Sequence, residues 1–154
     1  MATFYLDTSA LVKRYIDDVG TDWARATLDP VTGHALVTST LTRVELVAAL
    51  MRRGRASGAV MFDVQRRLAL FRGHWHVEYR PLEVTEAVLD RAVDIAERHG
   101  LRGYDAVHVA GALVRTESIP ARGRSPLIFA SADDEQLAAA AAEGLITLNP
   151  ATMP

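Results

Sequence analysis

The chain contains no cysteine. That excludes a disulfide framework, thiolate catalysis and any cysteine-ligated zinc site. Lysine is almost absent. Among 17 Lys and Arg residues Lys13 stands alone, and it follows no glycine-rich loop, which leaves little from which to build a phosphate-binding loop or a Schiff-base enzyme. No apolar run approaches the roughly 20 residues that span a bilayer. The N-terminus shows no basic region followed by an apolar stretch, so no signal peptide is expected, and the expected location is the cytoplasm with no membrane partner. The net charge of −2 does not announce a nucleic-acid binder. What is present is ordinary for a globular protein: 154 residues, 49% hydrophobic and 23% charged, enough for one domain over 1–154 with a real core.

Strand and helix patterns alternate along the chain. Phe4-Tyr5-Leu6 reads as a buried strand that stops on Asp7 and passes into a helix begun by Ala10, Leu11 and Val12, with Thr8 or Ser9 as its cap. A second helix runs from Gly20-Thr21 to Pro30, and a strand covers Ala35–Thr38. Ser39 or Thr40 caps a helix from Leu41 to about Arg53, and Gly54 and Gly58 bracket a break. A further helix is expected over Ala59–Phe71, stopped by Gly73, and the alternation of Trp75–Arg80 predicts a strand ended by Pro81. Then come a helix from Thr85-Glu86 to Gly100, a helix from Gly103 through Glu117, a Gly/Pro/Arg-rich loop over Ile119–Ser125, a strand at Leu127–Ala130, an alanine-rich helix from Asp133 or Asp134 to Gly144, and a last strand at Leu145–Leu148. Such alternation predicts an α/β fold, a three-layer α/β/α sandwich around a mostly parallel sheet.

Several acids stand where acids are costly. Asp7 lies at a strand's carboxyl end, the edge where open parallel sheets bind ligands. Asp133, at a similar corner after Leu127–Ala130, has Asp134 beside it. Glu45 is surrounded by Val44, Leu46, Val47, Ala48 and Ala49, and Asp105 opens an almost wholly apolar helix. Each has a plain structural reading: Asp7, Asp105 and Asp133 as helix caps, Glu45 as a solvent-facing residue beside an apolar stripe. If the four converge, each carboxylate pair at ~5 Å and an effective dielectric of ~20 costs on the order of 3 kcal/mol, which calls for protons or cations. An oxygen-only ligand set favours hard ions, Mg²⁺ or Mn²⁺. Ions of that kind acidify water and stabilise displacement at phosphorus, which points to phosphodiester hydrolysis.

The sequences Tyr5-Leu6-Asp7-Thr8-Ser9-Ala10, Ser39–Glu45 (STLTRVE), Gly103–Ala110 (GYDAVHVA) and Ser131-Ala132-Asp133 together resemble, in order and over essentially the whole chain, the motifs of PIN-domain nucleases in the form of the VapC toxins of bacterial toxin–antitoxin pairs. The resemblance implies a Mg²⁺- or Mn²⁺-dependent endoribonuclease acting on RNA, usually a homodimer, held inactive by a cognate VapB-type antitoxin. It implies Asp7, Glu45 and Asp105 as metal-site acids and catalytic residues. Asp133 would be the fourth, by its place two residues after Ser131, with Asp134 as the alternative. Ser9 and Ser131 fall where the family has hydroxyls near the site.

Beyond these, Arg52, Arg53, Arg55, Arg66, Arg67 and Arg72 form a basic stretch against one acid, Asp63. Arg52, Arg53 and Arg55 are candidates for RNA contact, although such arginines equally suit an acidic protein partner. His74 and His76 would share a strand face, a spacing compatible with a metal. His108, one turn after Asp105, is expected to pack rather than to hydrogen-bond. Trp23, Phe62 and Phe71 read as core or interface, and the apolar residues of helices 41–53 and 59–71 as a possible dimer surface. A different class of function would be a non-catalytic α/β module that binds RNA or protein, such as a receiver-like domain. A receiver-like domain wants a late lysine that the chain lacks, whereas a degenerate PIN-like member that only binds RNA or a protein partner stays open. A phosphatase of the Asp-x-Asp type is disfavoured because Ser9 occupies the second Asp position.

Overall fold

The computed structural model describes residues 1–119 and 125–153. Residues 120–124 of the expected loop Ile119–Ser125 lie outside the described residues. The chain runs β1 (Thr3–Leu6), α1 (Thr8–Leu11), α2 (Thr21–Thr27), β2 (Ala35–Ser39), α3 (Thr42–Ser57), α4 (Met61–Trp75), β3 (Tyr79–Leu82), α5 (Glu86–His99), α6 (Gly103–Glu117), β4 (Leu127–Ala130), α7 (Asp134–Ala142) and β5 (Ile146–Leu148). The strands form one sheet in the order β3-β2-β1-β4-β5, and every pairing is parallel.

β1 is central. Thr3 pairs with Ala35 on one side and Leu127 on the other, and Leu6 pairs with Ala130. Side chains alternate across the sheet. Phe4 and Leu6 therefore pack with Leu11, Leu46, Leu68 and Phe71 from α1, α3 and α4, whereas Tyr5 packs with Phe129, Ile95 and Val109 on the α5–α7 face. Both faces of the sheet are covered, as the near-continuous apolar strands require. No described helix is long and apolar enough to cross a membrane.

The middle of the chain departs from the expected boundaries. α3 continues through Gly54 and ends only at Gly58, whose φ of +64° suits glycine. Gly54 is a site of close helix contact instead of a break: a Cβ there would stand 2.6 Å from Cγ2 of Val64 on α4. Val64 is buried and β-branched, so it yields little. Gly54→Ala is therefore expected to destabilise the fold by about 1–2 kcal/mol, despite the helix propensity that alanine gains. Urea unfolding checks this; an unchanged or raised midpoint would refute the tight contact.

α4 likewise passes through Gly73 to Trp75, because Phe71 and Trp75 are both core residues and their rings meet edge-on at 5.5 Å. The strand expected over Trp75–Arg80 accordingly starts later, at Tyr79, and includes Pro81. A proline without its N–H is tolerated because β3 is an edge strand. His74 and His76 consequently do not share a strand face: His74 is helical and its Nδ1 stands 2.9 Å from Tyr15 Oη. The final strand begins one residue late, at Ile146.

Candidate active site

Asp7 is set by the sheet and by its own helix. Its N–H donates to Ala130 O at 3.0 Å, which extends the β1–β4 ladder by one residue. Its Oδ2 accepts from Ser9 N at 3.0 Å and from Ser9 Oγ at 2.6 Å, so Asp7 itself caps α1, and Thr8 and Ser9 lie inside the helix they were expected to cap. Glu45 sits in the first turn of α3, anchored where Thr38 Oγ1 meets Leu6 O and Thr42 Oγ1, each at 2.7 Å. It is not a solvent-facing residue. Its Oε1 accepts from Thr8 Oγ1 at 3.0 Å and from His108 Nε2 at 2.8 Å. Asp105 lies in the first turn of α6, whose N-cap position is Arg102, so the capping reading of Asp105 does not hold. Asp7, between β1 and α1, Glu45 on α3 and Asp105 on α6 line one groove of about 500 Å³ at the carboxyl edge of the sheet.

Asp133 caps α7, its Oδ1 accepting from Gln136 N at 3.0 Å, and it does not line that groove. Its charge nevertheless reaches the site: burial, Asp7 and Asp133 raise the Asp105 carboxyl above the ordinary range, against the pull of His108 and Arg102. Asp134 is engaged elsewhere, its Oδ1 accepting from Asn149 Nδ2 at 3.1 Å. Ser9 Oγ, whose one proton goes to Asp7, accepts from Ala132 N at 2.8 Å. Ser131 Oγ donates to Gln136 Oε1 at 2.7 Å and accepts from Asp133 N at 3.0 Å. Gln136 Nε2 in turn donates to Asp105 O at 3.1 Å. One hydrogen-bonded chain thus ties the ends of β1 and β4 to the start of α6.

Sequence reading undervalued four residues. Gln136 is fully buried, and only its place beside two aspartates hinted at that role. Arg102 and Tyr104 line the groove, as their adjacency to Asp105 could have suggested. His108 is not simply packed. Burial lowers its pKa, but Asp7, Glu45 and Asp105 together outweigh burial and raise it. Of the candidate arginines, Arg52 lines the groove. Arg53 is drawn away to Asp18 Oδ2 at 2.8 Å, where Lys13, Val19 N–H and Arg53 hold that carboxyl down at about 2. Arg55 borders a separate cavity with Met51 and Met61.

Among the described residues, no three Asp, Glu or His side chains are already closed around a common point as metal ligands. The donor set still fits a hard divalent cation. It offers carboxylate oxygens from separate elements, and burial, together with repulsion from Asp7 and Asp133, raises the Asp105 carboxyl.

The PIN domain family model matches residues 4–143. Ribonuclease VapC45 of Mycobacterium tuberculosis (strain CDC 1551 / Oshkosh) is 34% identical over 113 residues, 73% of this chain and 76% of that protein. Among solved structures, PAE2754 from Pyrobaculum aerophilum superposes with a TM-score of 0.59 at 21% identity, covering 95% of this chain and 90% of the other. A toxin–antitoxin complex from Klebsiella pneumoniae gives 0.60 at 15% identity, covering 97% and 98%. The two structures share the fold. The chain belongs to the PIN-domain family. Within that family its relatives in sequence include VapC ribonucleases of Mycobacterium tuberculosis.

Proposed function

We propose that this protein is a metal-dependent endoribonuclease toxin that hydrolyses RNA phosphodiester bonds in the cytoplasm and is neutralised by a cognate VapB-type antitoxin. The observation that carries the proposal is the meeting of Asp7, Glu45 and Asp105 in one groove. The names of the sequence relatives support RNA as substrate, and the toxin–antitoxin complex among the structural neighbours supports an antitoxin partner. Homodimer formation is supported by exposed apolar residues on α3 and α4, among them Val44, Met61, Phe62 and Leu70.

In this reading Asp7, Glu45 and Asp105 hold Mg²⁺ or Mn²⁺, and Asp133 adds the fourth negative charge. The bound ion supplies an acidified water and neutralises charge at the phosphate. The protein's own groups prepare the site. Ser9 and its N–H lock the Asp7 rotamer, and Ser131, through Gln136, fixes the start of α6. Arg52, within α3, and Arg102, at the N-cap position of α6, both line the groove and have no salt bridge among the described residues, so both are free to meet phosphates.

The test is cleavage of mixed RNA by the purified protein with Mn²⁺, then with excess EDTA. Fragments that need the metal are expected. RNA that is bound but never cut would make the protein a binding module instead. The double variant Arg52→Ala/Arg102→Ala is expected to raise KM with little change in kcat and to lower the salt slope of RNA binding by about 2. An unchanged slope would remove both from the RNA path.

A further inference from the structure

His108 has no part in the chemistry described so far, yet it is the group most tightly enclosed by the acids. Its imidazole is fully buried on a helix whose neighbours are Val107, Val109 and Ala110. Nε2 lies 2.8 Å from Glu45 Oε1 and 3.5 Å from Asp7 Oδ1. An ionised carboxylate can only accept, so Nε2 carries a proton and has no lone pair to give a metal. Nδ1 faces the other way, 3.5 Å from Tyr5 Oη. Tyr5 is itself immobilised: fully buried, stacked on Phe129 at 5.6 Å, and edge-on to His108 at 6.1 Å. Gly111 gives the tyrosine its room, since a Cβ there would stand 2.8 Å from Tyr5 Oη.

The two acids are gripped alike. Thr8 and His108 both donate to Glu45 Oε1, and Ser9 donates twice to Asp7 Oδ2. Among the described residues, Glu45 Oε2 has no hydrogen-bond donor, and Asp7 Oδ1 has only His108 at the longer distance. One oxygen of each carboxylate is held by the protein and the other is left for a cation.

We propose that His108 is a positioning residue and not a ligand: its Nε2–H, with the Thr8 hydroxyl, clamps Glu45 Oε1 beside Asp7 so that the second carboxylate oxygen is presented to a divalent ion. The assignment rests on the reading that such an ion binds at these acids. Donors of this kind outside the ligand shell commonly govern metal affinity by about 10–100-fold.

The experiment is Mn²⁺ titration by calorimetry on the full chain, wild type against His108→Leu and His108→Gln, with the metal-free melting temperature of each. A glutamine amide reaches about as far as Nε2 and keeps an N–H donor. His108→Leu is expected to weaken Mn²⁺ binding by about 10–100-fold, and His108→Gln to restore most of it even if both variants melt at the same lower temperature. Electron spin-echo modulation of Mn²⁺ in the wild type is expected to show no directly coordinated imidazole nitrogen. A folded His108→Leu that binds Mn²⁺ like the wild type, or a coordinated imidazole signal, overturns the proposal. Should His108→Leu not fold, His108→Gln decides: binding near the wild-type level supports the clamp, and a loss as large as that expected for leucine overturns it. A wild type that binds no Mn²⁺ overturns the metal reading itself, and this assignment with it; the former outcomes leave that reading standing.

Discussion

Asp7→Asn is expected to lower RNA cleavage by at least about 10³-fold, equivalent to about 4 kcal/mol of transition-state stabilisation, while leaving the fold intact. The two halves of that expectation have separate causes. Asparagine caps helices as well as aspartate does, and its oxygen can still accept from Ser9 N–H, so the start of α1 keeps its anchor. The backbone bond from residue 7 to Ala130 O is untouched. What disappears is the negative charge that a cation would meet in the groove. Wild-type protein should melt at a higher temperature when Mn²⁺ is added, by linkage worth about 2.7 kcal/mol at 100 times the dissociation constant, and Asp7→Asn should lose most of that shift. Scanning calorimetry with and without Mn²⁺, beside an RNA cleavage assay, measures both. Wild-type cleavage by a folded Asp7→Asn protein would be incompatible with the proposed site.

Asp105→Asn should abolish cleavage to a similar degree and at the same time stabilise the metal-free protein. Burial, Asp7 and Asp133 all raise the Asp105 carboxyl above its unfolded value of 3.8. A carboxyl raised by folding is a source of stability only where it is protonated. Below 3.8 it is protonated in both states and carries no penalty. As pH rises through the folded value the native state must ionise a crowded, part-buried group, and the penalty reaches its full size above that value. The amide variant has no such penalty at any pH. Metal-free Asp105→Asn should therefore melt above the wild type at pH 7, and the two curves should converge as pH falls toward 3.8. Equal melting temperatures at pH 7 would show that Asp105 is not held against the other acids. Added Mn²⁺ should reverse the order, because only the wild type gains from the ion.

Much of the architecture was legible because it depends on neighbours along the chain. Phe4-Tyr5-Leu6 and Leu127-Ile128-Phe129-Ala130 are apolar over every residue, the mark of strands buried on both faces, and both lie in the middle of the sheet. Thr85 caps α5, and Gly100, at φ +68°, ends it. Errors gathered where a residue's usual local meaning was overruled by a contact made elsewhere. Gly54 and Gly73 read as helix stops, but one accommodates Val64 and the other lies between Phe71 and Trp75, both of which the core requires. Pro81 read as a strand end, but it stands on an edge where a missing N–H is harmless.

The positions of Asp7, Glu45, Asp105 and Asp133 in their own elements followed from the sequence, since strand ends and first helical turns announce themselves through apolar periodicity and capping residues. Their family membership was readable for the same reason, from short motifs in order. Which acid faces which, and what stands between them, came only with the tertiary structure. His108 is 63 residues from Glu45, yet donates to it across the carboxyl edge of the sheet. Arg53 is 35 residues from Asp18, which removes it from the groove that Arg52 enters. Periodicity and propensity act over a few residues. Electrostatic and hydrogen-bond partners are chosen by proximity in space, after the sheet has drawn distant segments together.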